Sequence, residues 1–149
     1  MYYSRLRDST LLHTPPRGQR PSLNSKRILI IEDDIATRDA LTECLRDHGY
    51  QVTCASDGFE ALDLLQTMPR PDLILLDLML PQMDGWDFRA TQKRDPALSG
   101  IPVVALSAVG WLVDVDASLR KPVRVEELLE TVDRLCGSPV AGSSNPDEQ

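Results

Sequence analysis

Apolar positions follow two alternating rhythms along residues 25–136. Ile28-Leu29-Ile30-Ile31, Leu73-Ile74-Leu75-Leu76 and Val103-Val104-Ala105-Leu106 are unbroken apolar runs, the pattern of strands covered on both faces in a parallel sheet. Between them, apolar residues recur at three- and four-residue steps. Ala36, Ala40, Leu41, Cys44 and Leu45 form one such face, Phe59, Leu62, Leu65 and Met68 a second, and Val125, Leu128, Leu129, Val132 and Leu135 a third. The pattern predicts strands at 27–32, 51–55, 72–77, 102–106 and 117–120, with helices at 35–48, 58–68, 85–93 and 124–136. Asp34 is a helix cap in this reading, while Gly49 and Pro69 end the first two helices. Strands alternating with helices give an α/β fold, a doubly wound parallel sheet with helices on both faces.

The flanks lack this rhythm. Residues 1–24 hold Thr14-Pro15-Pro16-Arg17-Gly18 and Pro21-Ser22 and read as a disordered basic arm. Residues 138–149 are rich in Gly, Ser and Pro and read as a disordered tail, leaving 25–137 as the single folded unit. No apolar stretch approaches the ~18 residues that span a bilayer, and no secretory h-region follows Met1. A cytoplasmic protein with no membrane partner is expected. Cys44, Cys54 and Cys136 show no CxxC spacing and fit buried free thiols.

Charge is unevenly spread. Residues 1–27 carry six Lys or Arg against one acid, a net +5, so the rest of the chain holds −12 of the total −7. An acidic body argues against nucleic-acid binding by the folded unit.

The chemistry gathers at the strand ends. Glu32, Asp33 and Asp34 follow the first strand, and Asp77 ends the third. In open α/β sheets, function sits beyond the carboxyl ends of the strands. Acids crowded there repel, and a cation or a proton must relieve them. A small set of oxygen ligands suits Mg²⁺. Ser107 follows the fourth strand and Lys121 the fifth, on the same edge. A carboxylate nucleophile, a divalent cation, a hydroxyl and an ammonium together are what phosphoryl transfer to an aspartate needs. Asp72 and Asp84 read as turn formers. No GxxxxGK[ST], GxGxxG or GxSxG motif is present, and His13 and His48 lie in the arm and at a helix end, which disfavours nucleotide binding and a Ser-His-Asp hydrolase.

With these residues in place, the chain resembles the CheY-like receiver domains of bacterial two-component response regulators over about 25–136. The markers are Ile-Leu-Ile-Ile-Glu32-Asp33-Asp34, Pro71-Asp72-Leu-Ile-Leu-Leu-Asp77-Leu-Met-Leu-Pro81-Gln-Met-Asp84-Gly85, Ala-Leu-Ser107-Ala108 and Lys121-Pro122. The resemblance implies a five-stranded sheet of order 2-1-3-4-5. It implies Asp77 as phosphoacceptor, with Mg²⁺ held by Glu32, Asp33, Asp77 and the backbone carbonyl of Met79. Ser107 would bond a phosphoryl oxygen, Lys121 would pair with Asp77 before transfer and with the phosphoryl group after it, small Ala108 would leave the entry path open, and Lys121-Pro122 would be cis. Such a domain is not an enzyme in the usual sense, since it catalyses only its own phosphorylation and dephosphorylation. A sensor histidine kinase or phosphotransfer protein is its implied donor. Neither flank is long enough for an output domain, so a stand-alone receiver signalling by protein contact to an unidentified output protein is expected.

The chain departs from that family in one region. Ser107 and Lys121 are fourteen residues apart, about eight fewer than is usual and so short by roughly two turns of helix. The family's helix between strands four and five is therefore expected to be truncated or absent. Ser118 occupies the position of the family's switching aromatic, and Trp111 is the aromatic nearby that could cover the gap or move in its place. A bared apolar seam, serving a partner or a homodimer, is a further expectation. These departures favour one rival, a pseudo-receiver that binds partners without being phosphorylated. The other rival, an aspartyl phosphohydrolase, would want a second acid where Met79 stands.

Overall fold

The computed structural model describes residues 25–108 and 114–137. Five strands, β1 (Arg27–Ile31), β2 (Gln51–Ala55), β3 (Leu73–Asp77), β4 (Val103–Ser107) and β5 (Ala117–Arg120), alternate with helices α1 (Ile35–Asp47), α2 (Gly58–Thr67), α3 (Gly85–Arg94) and α4 (Val125–Cys136). The strands form one all-parallel sheet in the order β2-β1-β3-β4-β5. Every predicted element is present, with ends shifted by a residue or so; Ser107 is the last residue of β4 rather than the first beyond it.

Two apolar layers sandwich the sheet because successive strand residues face opposite sides. Ile28, Ile30, Leu73, Leu75, Val104 and Leu106 pack with Leu41 and Leu45 of α1 and Leu128 and Val132 of α4. Leu29, Ile31, Ile74, Leu76, Val103 and Ala105 pack with Ala61 of α2 and Phe88 of α3. The three central strands are thus buried along nearly their whole length, which is why they read as unbroken apolar runs.

Side-chain caps start three helices. Asp34 accepts from the Thr37 N–H at 2.9 Å, Asp57 from Glu60 at 2.8 Å and Asp84 from Asp87 at 2.9 Å. Asp84 is therefore a cap, while Asp72 accepts from the Arg27 N–H at 2.8 Å and ties the entries of β1 and β3. The chain leaves α1 through Gly49 at φ 105°, a conformation glycine adopts without steric cost.

Three expectations need correction. Phe59 and Val125 do not face inward; they are 53% and 52% exposed, because each opens its helix at the sheet edge, above the apolar layer. The cysteines are free but only partly buried. No bared apolar seam runs along β4 and β5 among the described residues. Val103, Ala105 and Leu106 are fully buried, and the alternate positions of β5 are Ser118 and exposed Arg120, polar residues that need no cover. The residues described between β4 and β5 form bends and no helix. Trp111, the arm 1–24 and the tail 138–149 lie outside the described residues. Within them, no helix is long and apolar enough to cross a membrane.

Candidate phosphoryl-transfer site

Strand register brings the acids together. Ile31 pairs with Leu76, so Glu32 and Asp77, the next residue on each strand, come side by side. Asp77 pairs with Leu106 and Ser107 with Arg120, which carries Ser107 and Lys121 to the same edge. Glu32 and Asp77 are almost fully buried, Ser107 is buried, and Asp33 is exposed. Ligand oxygens of Glu32, Asp33 and Asp77 all lie within 4.8 Å of one another.

Lys121 joins the two buried carboxylates. Its Nζ stands 3.3 Å from Glu32 Oε1 and 3.3 Å from Asp77 Oδ2. The Lys121 N–H donates to the Ser107 carbonyl at 2.8 Å, which fixes the lysine backbone against the end of β4. The peptide bond that follows, Lys121-Pro122, is cis. Glu32 Oε2 accepts from the Asp34 N–H at 3.1 Å, and Asp77 Oδ1 from the Met79 N–H at 3.0 Å. These donors satisfy carboxylates that burial would otherwise penalise. Met79 itself is 78% exposed.

The electrostatics follow from this crowding. Burial pushes the Glu32 carboxyl above its ordinary range, and the Asp77 charge adds to the rise against the opposing Asp34 N–H. For Lys121, burial disfavours the charged form, but the Asp77 and Glu32 carboxylates outweigh it and hold the ammonium above its usual value. Three ionised carboxylates against one ammonium carry a net −2, the charge that a divalent cation cancels. Hard oxygen donors, one exposed and two buried, fit Mg²⁺ and not a thiolate-seeking metal.

Reading the sequence alone missed two features. Arg38, at the close of the first turn of α1, donates to the Glu32 carbonyl at 3.1 Å and braces the acid from behind. An open apolar groove of about 610 Å³ runs between α1 and α4 beside Lys121, lined by Ala36, Ala40, Cys44, Val125 and Leu128. Ala36 and Ala40 carried the helical rhythm of α1, so periodicity assigned them to the core; only the packing shows that α1 and α4 part there. Ile35, Phe59, Met79, Trp86 and Val125 are the exposed large apolar side chains of the described residues. Four of them open helices and one follows β3, so the apolar exposure rings the acids instead of flanking β5.

Comparison with known proteins agrees with this geometry. The model of the response regulator receiver domain matches residues 28–133. The DNA-binding dual master transcriptional regulator RpaA of Synechocystis is 41% identical over 114 residues, 71% of this chain and 47% of that protein. The DNA-binding response regulator MtrA of Mycobacterium tuberculosis is 38% identical over 115 residues, 72% of this chain and 49% of its own. The chain thus spans about half the length of these relatives. Among solved structures, the signal receiver domain of a histidine kinase from Syntrophus aciditrophicus superposes with a TM-score of 0.68 at 32% identity, over 75% of this chain and 90% of that one. The receiver domain of the sensor histidine kinase PA1611 from Pseudomonas aeruginosa gives 0.70 at 28% identity, over 76% and 99% of the two chains, and was solved with a magnesium ion coordinated in its active-site cleft. Sheet order, acid cluster and sequence match converge, and the chain belongs to the response regulator receiver domain family.

Proposed function

We propose that this receiver accepts a phosphoryl group from a phosphohistidine donor onto Asp77 and signals through protein contact. The observation that carries the reading is the Lys121 ammonium at 3.3 Å from both Glu32 and Asp77. A structural ion pair needs one acid; here a second buried acid and the exposed Asp33 converge on the same point.

An Asp77 carboxylate oxygen attacks phosphorus, the bond from phosphorus to the donor imidazole nitrogen breaks, and the imidazole leaves with the electron pair. The Met79 N–H orients the attacking carboxylate, and Lys121 neutralises charge on the phosphoryl oxygens once the group has moved. The Ser107 hydroxyl supplies a further hydrogen bond to the group. Mg²⁺ would be held by Glu32, Asp33, Asp77 and the Met79 carbonyl, and supplies the positive charge that lets donor phosphate approach three acids. Asp77 is recessed at 2% exposure, so the donor must seat closely. The apolar groove beside Lys121, with exposed Val125 in its lining, is the surface offered to a histidine kinase or phosphotransfer protein.

A second reading, a pseudo-receiver that is not phosphorylated, draws support from the absence of helix among the described residues between β4 and β5 and from Ser118 on β5. One assay separates the two. The full chain is incubated with acetyl phosphate and Mg²⁺, and its intact mass is measured beside Asp77→Asn. A single phosphoryl adduct on the parent and none on the variant is expected. No adduct on either selects the pseudo-receiver, and an adduct on both moves the acceptor away from Asp77.

A further inference from the structure

Helix α3 touches Asp77 at one end and the entry to β5 at the other. At its start, Gly85 lies so close to β3 that a Cβ there would stand 2.7 Å from Leu78 Cα and 2.8 Å from the Asp77 carbonyl oxygen. The Gly85 N–H also donates to the Leu78 carbonyl at 3.2 Å. No slack remains between this end of the helix and the backbone of Asp77.

Farther along α3, Arg89 is a hub. Its Nε donates to the Asp114 carbonyl at 2.8 Å, one terminal nitrogen donates to Gln92 Oε1 at 2.8 Å, and the other stands 3.8 Å from Asp116 Oδ2. The Arg89 side chain is only 12% exposed. Lys93, one turn on, pairs with the Asp114 carboxylate. Gln92 is fully buried and donates to the carbonyls of Leu98 at 2.8 Å and Ile101 at 3.0 Å, just before β4. Asp116 brackets Val103: its N–H donates to the Val103 carbonyl at 3.0 Å, and its Oδ2 accepts from the Val103 N–H at 2.8 Å. One largely buried guanidinium therefore ties α3 to the entries of both β4 and β5. Asp114 sits at φ 66°, where few residues other than glycine are found, with its carbonyl bonded to Arg89.

We propose that α3, fastened by Arg89, carries changes at Asp77 to the start of β5. The proposal rests on Asp77 as phosphoacceptor. A helix of ten residues is a rod of about 15 Å. A shift of the β3 end moves Gly85, and the rod moves Arg89 with it. Charge-assisted bonds that share one guanidinium strengthen one another. The proposed coupling has this clamp either bonded or released, so that whatever biases it at one end is felt at the other. Arg89 is a positioning residue in this account and touches no reacting atom.

The test uses the full chain with beryllofluoride and Mg²⁺ as the phosphoryl mimic. Amide exchange is followed in residues 85–94 and 114–120, with Trp86 emission read in a Trp111→Phe background. Adduct formation is expected to change exchange in both segments by about fivefold or more. In Arg89→Gln the response of 85–94 persists, that of 114–120 is lost, and the beryllofluoride Kd shifts by a comparable factor, as linkage requires. A purely structural role would lower stability in urea and leave the Kd unchanged. Should Arg89→Gln fail to fold, the double variant Lys93→Ala, Asp114→Asn, at half-exposed positions, is expected to give the same uncoupling at smaller size. Equal responses of 114–120 in the parent and the variant overturn the proposal. So does an adduct, seen by fluorine NMR, that leaves both segments unchanged. Absence of any adduct is a different failure: it removes Asp77 as acceptor, and the coupling falls with it.

Discussion

The end of β3 and the start of β5 lie in one sheet two strands apart, yet the chain treats them differently. Leu73 to Asp77 are all buried, in a strand that pairs with β1 on one side and β4 on the other and is covered by helices on both faces. Ala117 to Arg120 pair on one side only, and Leu119 is the one buried residue of the four. At β3 position is set by apolar packing, so an acid can be held in a buried site to within hydrogen-bonding tolerance. At β5 position is set by polar contacts, Asp116 to Val103 and Arg89 to Asp114 and Asp116. Packing resists displacement over its whole area, whereas a few ion pairs and hydrogen bonds can be exchanged for water at modest cost. The body of β3 is held by packing, the proposed coupling acts at its carboxyl end where Gly85 abuts Asp77, and the β5 flank is held by contacts that can let go.

Substitutions can break this contrast. Leu75→Ala, in the fully buried centre of β3, is expected to cost about 3–4 kcal/mol in urea unfolding, because it opens a cavity between sheet and helices. A cost near that of a surface change would refute the packing account. Gly85→Ala forces a methyl against Leu78 and the Asp77 carbonyl, at about 1–3 kcal/mol. Its phosphoryl uptake should fall as well, since the clash bears on the Asp77 backbone; unaltered uptake with lowered stability would separate α3 from the site.

Smaller effects sharpen the comparison. Burial raises the Glu32 carboxyl, so folding costs its ionised form relative to the unfolded chain. Without Mg²⁺ this group's contribution to stability is full at low pH and is lost as pH rises through its raised value. Mg²⁺ binds the ionised form, so the Mg²⁺-induced rise in Tm should grow from about pH 5 to pH 7.5. A rise independent of pH would remove Glu32 from the metal site. Ser118→Ala, on the polar side of β5, should change stability by no more than about 0.5 kcal/mol. A large loss there would show that this flank is packed after all.

Much of the site was legible along the chain. Glu32, Asp33 and Asp77 stood out because acids follow strongly apolar strands, where an isolated charge is costly. Ser107 and Lys121 followed from the alternation of strand and helix, which sends every strand end to one edge. Asp34 was legible as a cap because capping depends on residues three apart. Phe59 and Val125 misled because period alone gives a helix its face without saying how far along the axis the apolar layer reaches. Among the described residues the expected seam failed for a related reason: Ser118 and Arg120 leave β5 little apolar surface to bare.

What the sequence determined by itself is therefore local and periodic: strand and helix identity, caps, sheet class and the set of acids. Those depend on neighbours within a few positions and on the rule that strand ends of a parallel sheet share an edge. Only the tertiary structure decided that Lys121 reaches Glu32 as well as Asp77, that α1 and α4 part beside it, and that Arg89 gathers Asp114, Asp116 and Gln92. Each of these joins residues brought together by the winding of helices about the sheet, a distance that no spacing along the chain encodes.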